Sequence, residues 1–224
     1  SRVWGRDEQA TDMADPRVMD AARTLLGADQ ETWLADRLTT TSAQWKLIAQ
    51  QIVMAPFPDF FNTDAWDGYP GARARFFDLI ETNAIDDVIV LTGDIHMSVA
   101  ADLPRNPTVP ADYDPATGRG SLAVEMVAPG ISSPGLTRGI ATTLEDRVRT
   151  EAPHAKGWNL WHRGYFVLDV TPARVQGAWF TYPDPEEPVA DPAFAFAVAT
   201  AAGGNHLEAE ATPAPDGTGP PAAP

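Results

Sequence analysis

The chain has 224 residues, 44% of them hydrophobic, which is enough for one domain with a buried core. Its net charge of −15, from 31 acidic and 16 basic residues, argues against nucleic-acid binding, which normally needs a basic surface. The absence of cysteine excludes disulfides, thiolate nucleophiles and cysteine-ligated zinc, and no apolar run approaches the roughly 20 residues that span a bilayer.

The first half of the chain alternates between helical and strand-like patterns. Apolar residues at helical spacing predict two helices, of which Asp29 could cap the first. Short apolar runs predict two buried strands, the second of them parallel. Between the strands lies a loop rich in Pro, Asp and aromatic residues, a kind of loop that often carries function. In chain order these are helix 28–38, strand 45–54, loop 55–70, helix 71–84 and strand 87–92.

The second half is richer in strand patterns. It contains predicted strands 97–103 and 121–128, a helix over 136–150 and a hairpin of 164–170 with 174–182. Strand, helix and strand followed by antiparallel strands predict an α/β fold, a layered βαβ sandwich with a mixed sheet and flanking helices. We expect one domain over residues 1–208 and a disordered Ala/Pro/Gly-rich tail over 209–224.

The strongest candidate for chemistry follows the strand 87–92. Ligands of open α/β sheets bind beyond the carboxyl ends of strands, which is where Thr92-Gly93-Asp94-Ile95-His96 lies. If this segment is extended, Asp94 and His96 point to one side and could hold a metal ion, or a phosphate between metal ions. A capping aspartate beside a structurally satisfied histidine is the alternative, and the segment alone does not decide between them.

Several segments, in order, resemble motifs of the PhoD-like alkaline phosphatases, within the calcineurin-like metallophosphoesterase superfamily. They are RTLLGADQETWL (23–34), WKLIAQQ (45–51), DAWDGYP (64–70), LTGDIH (91–96), and PH (153–154) followed by RGY (163–165). The chain departs from the family pattern at Gln50, Ala152 and Asn159, where the family has Asn, Asn and Asp. These departures weaken any functional reading of residues 152–159.

The resemblance implies a metal-dependent hydrolase of phosphate monoesters and/or diesters. It implies Ca²⁺ and Fe³⁺ as cofactors, with other divalent metals as alternatives, and small-molecule or polymeric phosphate esters as substrates. By the same resemblance Asp94 is a metal ligand, for calcium by its hard carboxylate oxygen, and His96 binds metal or acts catalytically on a phosphate oxygen. A periplasmic or secreted location is also implied.

Three further residues are candidates for substrate binding, with loop architecture as the alternative. His154 follows Pro153 in a predicted loop, which favours exposure of its side chain. Asp67 lies in the long loop, where Asp67-Gly68 is also ordinary turn chemistry. Gln51 ends the segment 45–51 that resembles the family motif.

The early ligand motifs of the family have no counterpart within residues 1–90, and residues 1–6 read as the end of a buried strand running into a loop. We therefore expect the chain to be the C-terminal part of a longer enzyme, half of a four-layer sandwich with one sheet face incompletely covered. We expect little activity from it alone.

Other functional classes have less support. A noncatalytic or inactive α/β module, with at most weak metal or ligand binding, is the main alternative. A serine or glycoside hydrolase is not indicated, because the sequence shows neither a nucleophile elbow nor convincingly paired acids. The sequence gives no indication of oligomeric state.

Overall fold

The computed structural model describes residues 6–57, 62–183 and 191–215, which form three layers. Helices cover one face of a five-stranded sheet, and a four-stranded sheet packs on its other face. The helices are α1 (Ala28–Thr40), α2 (Pro70–Thr82) and α3 (Arg138–Glu151). The strands are β1 (Lys46–Ala49), β2 (Val88–Thr92), β3 (Ser98–Pro104), β4 (Ser121–Val127), β5 (Ala155–Asn159), β6 (Gly164–Val170), β7 (Arg174–Thr181), β8 (Ala193–Ala201) and β9 (Glu208–Glu210).

The first sheet is mixed, with strand order β1-β2-β4-β3-β5. Strands β1, β2 and β4 are parallel, whereas β3 is antiparallel to both of its neighbours. The three parallel strands therefore end at one edge of the sheet, which we call the carboxyl edge. It is formed by the residues that follow Ala49, Thr92 and Val127. The predicted fold class, an α/β layered sandwich with a mixed sheet and flanking helices, is confirmed.

The second sheet is antiparallel, with strand order β6-β7-β8-β9. Its inner face meets the first sheet through a core built around Trp179, which stacks on Phe166 and Phe196. Two indole N–H groups join the layers: Trp45 Nε1 donates to the Thr171 carbonyl at 2.7 Å, and Trp179 Nε1 donates to the Val127 carbonyl at 2.9 Å. The position of the second sheet on the first is thus fixed by polar as well as apolar contacts.

The outer face of the second sheet carries aromatic residues in a row. Phe180 stacks on Tyr165, with ring centroids 5.5 Å apart, and meets Phe194 edge-on at 6.0 Å. Val167, on the same face by strand alternation, is 50% exposed, and Phe194 is 37% exposed. In the part of the chain that the structure describes, no helix covers this face.

Most predicted elements are found within a few residues of their expected bounds, but four details differ. The cap of α1 is Gly27 at a φ of 84°, and Asp29 lies inside the helix. Strand β1 is shorter than predicted, and β5 and β8 were not predicted. Strand β9 includes the first two residues of the predicted tail. Residues 216–224 of that tail, and residues 1–5 of the predicted opening strand, lie outside the described residues.

A polar cluster lies at the edge of the first sheet opposite the carboxyl edge. The carboxylate of Asp102 on β3 is fully buried. It accepts hydrogen bonds from the Tyr113 hydroxyl at 2.7 Å and the Leu207 N–H at 2.8 Å, and lies 2.6 Å from His206 Nδ1. The ammonium of Lys156 is 3.7 Å away. This far-edge cluster joins β3 to the loop before β4 and to the segment that follows β8.

Candidate functional site

The segment Gly93–Met97 turns sharply at the carboxyl edge, where β2 ends. Asp94 and His96 have positive φ values of 75° and 57°. The N–H of Ile95 donates to the Gly93 carbonyl at 2.9 Å, closing a γ-turn around Asp94. The segment is therefore not extended, contrary to the geometry assumed from the sequence. Positive φ at non-glycine residues costs about 1–3 kcal/mol each and is concentrated at functional sites.

His96 is held in one orientation by the loop that follows β4. Its Nδ1 lies 2.6 Å from the carbonyl oxygen of Pro134, so Nδ1 carries the proton and donates it. In the neutral ring, a proton on Nδ1 leaves the lone pair on Nε2, which is the arrangement found in histidines that bind metal ions. The imidazole is partly buried, whereas Asp94 is exposed to solvent.

Gly93 leaves room beside these two residues. A Cβ atom at this position would meet no atom of a described residue within 4 Å, apart from the two chain neighbours of Gly93. The backbone at Gly93 therefore borders open space at the carboxyl edge, and a phosphate group could approach it there.

A buried carboxylate stabilises the carboxyl edge through hydrogen bonds. Glu125 on β4 is 1% exposed, and its oxygens accept hydrogen bonds from the Met54 N–H at 2.9 Å, the Ala55 N–H at 2.7 Å and the Thr92 hydroxyl at 2.6 Å. Burial raises the pKa of Glu125, and the three donated bonds oppose that rise. Through these bonds Glu125 holds the backbone of Met54 and Ala55, in the segment that follows β1, against β4.

The same network continues to the long loop. Gln50 donates from Nε2 to the Thr92 hydroxyl at 2.9 Å, and its Oε1 accepts from the Trp66 indole at 3.0 Å. Thr92 therefore accepts from Gln50 and donates to Glu125, and it lies two residues before Asp94. These bonds fix the strand end from which the strained turn departs.

Two of the three predicted substrate-binding residues are buried. Asp67 is 7% exposed and pairs with Arg73 at 2.8 Å. Burial raises the pKa of Asp67, opposed by the charge of Arg73. Asp67 borders an enclosed volume of about 30 Å³ with Ile95 and Met97, enough for about one water molecule but not for a phosphate ester. The third, Gln51, is exposed and lies at the carboxyl edge two residues after the end of β1.

His154 is not in an exposed loop, contrary to expectation. It immediately precedes β5, which was not predicted, and its carbonyl accepts from the Asp102 N–H at 2.9 Å. Its ring is 1% exposed and stacks on Phe57 at 5.1 Å. Among described residues neither ring nitrogen makes a hydrogen bond of ordinary geometry, and the Pro56 carbonyl is the acceptor that interacts with the ring. Burial lowers the pKa of His154 to about 4, and the Pro56 carbonyl opposes that shift only in part.

The free energy of unfolding should decrease as the pH is lowered, because of His154. With a folded pKa of about 4, below its ordinary 6.5, the ring stabilises the fold fully above pH 6.5 and loses that contribution as the pH falls towards 4. We expect a loss of about 2 kcal/mol between pH 7.5 and pH 5 from this residue. Urea unfolding of the complete protein and its His154→Phe variant at both values measures it. The substitution keeps the ring contact with Phe57 and should remove this part of the pH dependence. If the free energy of unfolding depends on pH equally in both proteins, His154 is not the source of this pH dependence.

Asp94 and His96, two residues apart, both lie in the turn that follows β2 at the carboxyl edge, and their role as metal ligands stays a prediction. Across residues 6–57, 62–183 and 191–215, no group of three or more His, Cys, Asp or Glu side chains could hold a metal ion. Sequence reasoning missed Glu125 and Arg163, whose guanidinium lies beside the loop at His96. An isolated carboxylate in the apolar run of β4 was the available signal for Glu125.

Comparisons with known proteins agree on one family. A model of the PhoD-like phosphatase family matches residues 1–179. Alkaline phosphatase D from Bacillus subtilis (strain 168) is 32% identical over 194 residues, covering 82% of this chain and 32% of that protein. A solved structure of PhoD superposes with a TM-score of 0.79 and 28% identity, covering 93% of this chain and 40% of the other. The chain thus spans about a third of the curated relative's length.

Proposed function

Because this chain belongs to the PhoD-like phosphatase family, we propose that the protein containing it hydrolyses phosphate monoesters and/or diesters. The observation that carries the proposal is the strained turn at Asp94 and His96, which lies at the carboxyl edge within the matched residues. Small-molecule or polymeric phosphate esters are the proposed substrates.

The donor chemistry of the turn fits a metal centre. Asp94 offers an exposed hard carboxylate, which suits Ca²⁺, and His96 offers Nε2, which suits iron. We propose that these two residues hold part of a centre containing Ca²⁺ and Fe³⁺. Such ions would supply positive charge for the phosphoryl oxygens and a water molecule acidified towards neutral pH. Two donors make an incomplete set, so the remaining ligands would come from outside the described residues.

The residues of this chain would act by positioning. Pro134 fixes the His96 ring through Nδ1, so that Nε2 faces its ligand in a constant tautomer. Glu125, Thr92 and Gln50 hold the end of β2, from which Asp94 projects. Gln51 stays the accessible candidate for substrate contact. Asp67 and His154 would reach substrate only after a movement of the loop that buries them.

A noncatalytic role for this chain by itself is the second candidate, favoured by the small number of metal-binding side chains described.

We propose that the complete protein is periplasmic or secreted, as the resemblance implies. Within the described part of the chain, no helix has the length and apolar character required to cross a bilayer.

The isolated chain should hydrolyse phosphate esters poorly or not at all. Two ligands leave most of the coordination to water, and residues that act as a unit lose more than a proportional share of activity when some are missing. Exposed Trp33, Leu47 and Val167, at 54%, 45% and 50%, should also promote aggregation. The test compares residues 1–224 with the complete protein on p-nitrophenyl phosphate and its bis-ester at alkaline pH, with Ca²⁺ and Fe³⁺. Similar turnover by both would show that the site is complete in this chain.

A further inference from the structure

Arg163 lies beside the loop that holds His96. Its Nη1 is 3.3 Å, and the His96 carbonyl oxygen 3.4 Å, from the point where a Cβ atom on Gly135 would sit. Gly135 follows Pro134, whose carbonyl accepts from His96 Nδ1. The Arg163 guanidinium and the backbone carbonyl of His96 therefore both border Gly135, although the two residues are far apart in the sequence.

The guanidinium of Arg163 is oriented but its charge is not neutralised by the described residues. Nη1 donates to the Trp161 carbonyl at 2.9 Å, which fixes the direction of the fork. No described carboxylate lies within salt-bridge distance of it. By contrast, many arginines of this chain are paired with Asp or Glu: Arg6, Arg17, Arg73, Arg75, Arg105, Arg147 and Arg149. In a chain with a net charge of −15, a partly buried arginine without a carboxylate is a site ready for an external anion.

A second arginine contributes positive charge to the same place. Arg138, the first residue of α3, lies over the Trp161 ring at 5.3 Å from its centroid. It makes no salt bridge with a described residue, and its charge helps to lower the pKa of the neighbouring His162, for which burial is the larger cause. The nearby Glu145 accepts from the Leu160 N–H and pairs with neither arginine.

We propose that Arg163 binds a non-bridging oxygen of the substrate phosphate, with Arg138 adding charge on the same side. This rests on the proposed function, because the anion is taken to be the phosphate of the hydrolysed ester. A planar guanidinium presents paired N–H donors that match phosphate oxygens, which an ammonium does not. It would also offset the repulsion between phosphate and the acidic surface, including Asp94.

The first test measures binding of inorganic phosphate to the metal-loaded complete protein by titration calorimetry. Arg163→Ala should weaken binding by about ten- to hundredfold, the usual effect of losing a charge-assisted hydrogen bond. Arg163→Lys should recover only part of it, and Arg138→Ala should have a smaller effect. Arg119 is the matched control, since among the described residues its guanidinium too donates to carbonyl groups, but it follows β3 at the opposite edge of the sheet. Arg119→Ala should bind phosphate as the wild type does.

The second test separates phosphate binding from a purely structural role. For p-nitrophenyl phosphate, Arg163→Ala should raise KM and the inhibition constant of phosphate by similar factors, with unchanged metal content and thermal unfolding midpoint. The proposal is wrong if both Arg163 variants bind phosphate with wild-type affinity and differ from the wild type only in the unfolding midpoint or the metal content. It is also wrong if the wild-type protein does not bind phosphate. If the wild-type protein binds phosphate but does not hydrolyse the ester, the proposed function is wrong. The calorimetry of the Arg163 variants then decides by itself whether this arginine binds phosphate.

Discussion

Replacing Asp94 by Asn in the complete protein is expected to lower phosphate ester hydrolysis by at least about a hundredfold. Residues that merely orient metal ligands typically contribute 10–100-fold, and a direct ligand should contribute more. Asparagine tolerates positive φ nearly as well as aspartate, so the turn with its φ of 75° should be preserved while the charge is lost. Asp94→Ala should lower activity at least as much, with an added backbone strain. Bound calcium, measured by elemental analysis, should fall in both variants.

The control for this experiment is an aspartate on the surface. Asp36 of α1 is exposed, and the ion pair of its carboxylate with a described residue is a 3.7 Å contact with Arg37, so Asp36→Asn should leave turnover and metal content unchanged. Unchanged calcium together with unchanged turnover in the Asp94 variants would exclude this residue as a ligand. Lost turnover with full calcium content would instead assign Asp94 a role in contacting the substrate.

The second large effect concerns stability at the carboxyl edge. Replacing Glu125 by Ala would leave the Met54 and Ala55 N–H groups and the Thr92 hydroxyl without their acceptor in the protein interior. A buried donor left without an acceptor typically costs about 1–3 kcal/mol, so the three together should cost at least about 3 kcal/mol. Glu125→Gln retains the volume but sets amide donors against N–H donors, so it should also be destabilising. We expect a lower urea midpoint for the complete protein with either substitution.

Hydrogen exchange gives this prediction a local measurement. The amide protons of Met54 and Ala55 should exchange about a hundredfold faster, or more, in the Glu125 variants, since about 3 kcal/mol corresponds to that factor. Glu208→Gln, at an exposed position on β9, is the matched control and should change neither quantity. Protection of both amides equal to that of the wild type would show that Glu125 does not hold this loop.

The parts of the fold that follow local rules were predictable. The buried face of α2 comprises the four residues expected from 3.6-residue spacing: Ala72, Phe76, Phe77 and Ile80. Strand β2 was recognisable because a strand buried on both faces reads as a continuous apolar run. The hairpin of β6 and β7 needed only two alternating runs and the turn at 171–173.

Elements defined by distant partners were not predictable from local pattern. Strand β5 contains Lys156, Gly157 and Asn159, which have low strand propensity, and it is a strand because it pairs with β3. Strand β8 is rich in alanine, which is depleted in strands, so its alternation was not a sufficient signal. The exposure expected for His154 was wrong for the same reason, since the residue is covered by Phe57 from a remote loop.

The candidate site also combines features that follow from local sequence with features that depend on distant partners. Asp94 and His96 were identified from their position after a buried strand and from the family motif, but their backbone geometry was not. The γ-turn depends on local strain that the surrounding fold enforces. Glu125 binds N–H groups about 70 residues upstream, and Arg163 lies beside Gly135, which also borders the His96 backbone. Neither relation is visible in the sequence, because each depends on how the strands are ordered in the sheet.

The far-edge cluster has a consequence for the order in which the protein can mature on the ribosome. Asp102 is synthesised about 100 residues before His206 and Leu207, which supply two of its contacts. At about 5–20 residues per second, roughly 5–20 s pass before those partners are made, and during that time only Tyr113 and Lys156 can compensate the carboxylate. Burying β3 earlier would strand a poorly compensated charge. The first sheet can therefore close fully only after residues 206 and 207 have left the ribosome, so consolidation of this core follows the synthesis of β3 by about 100 residues.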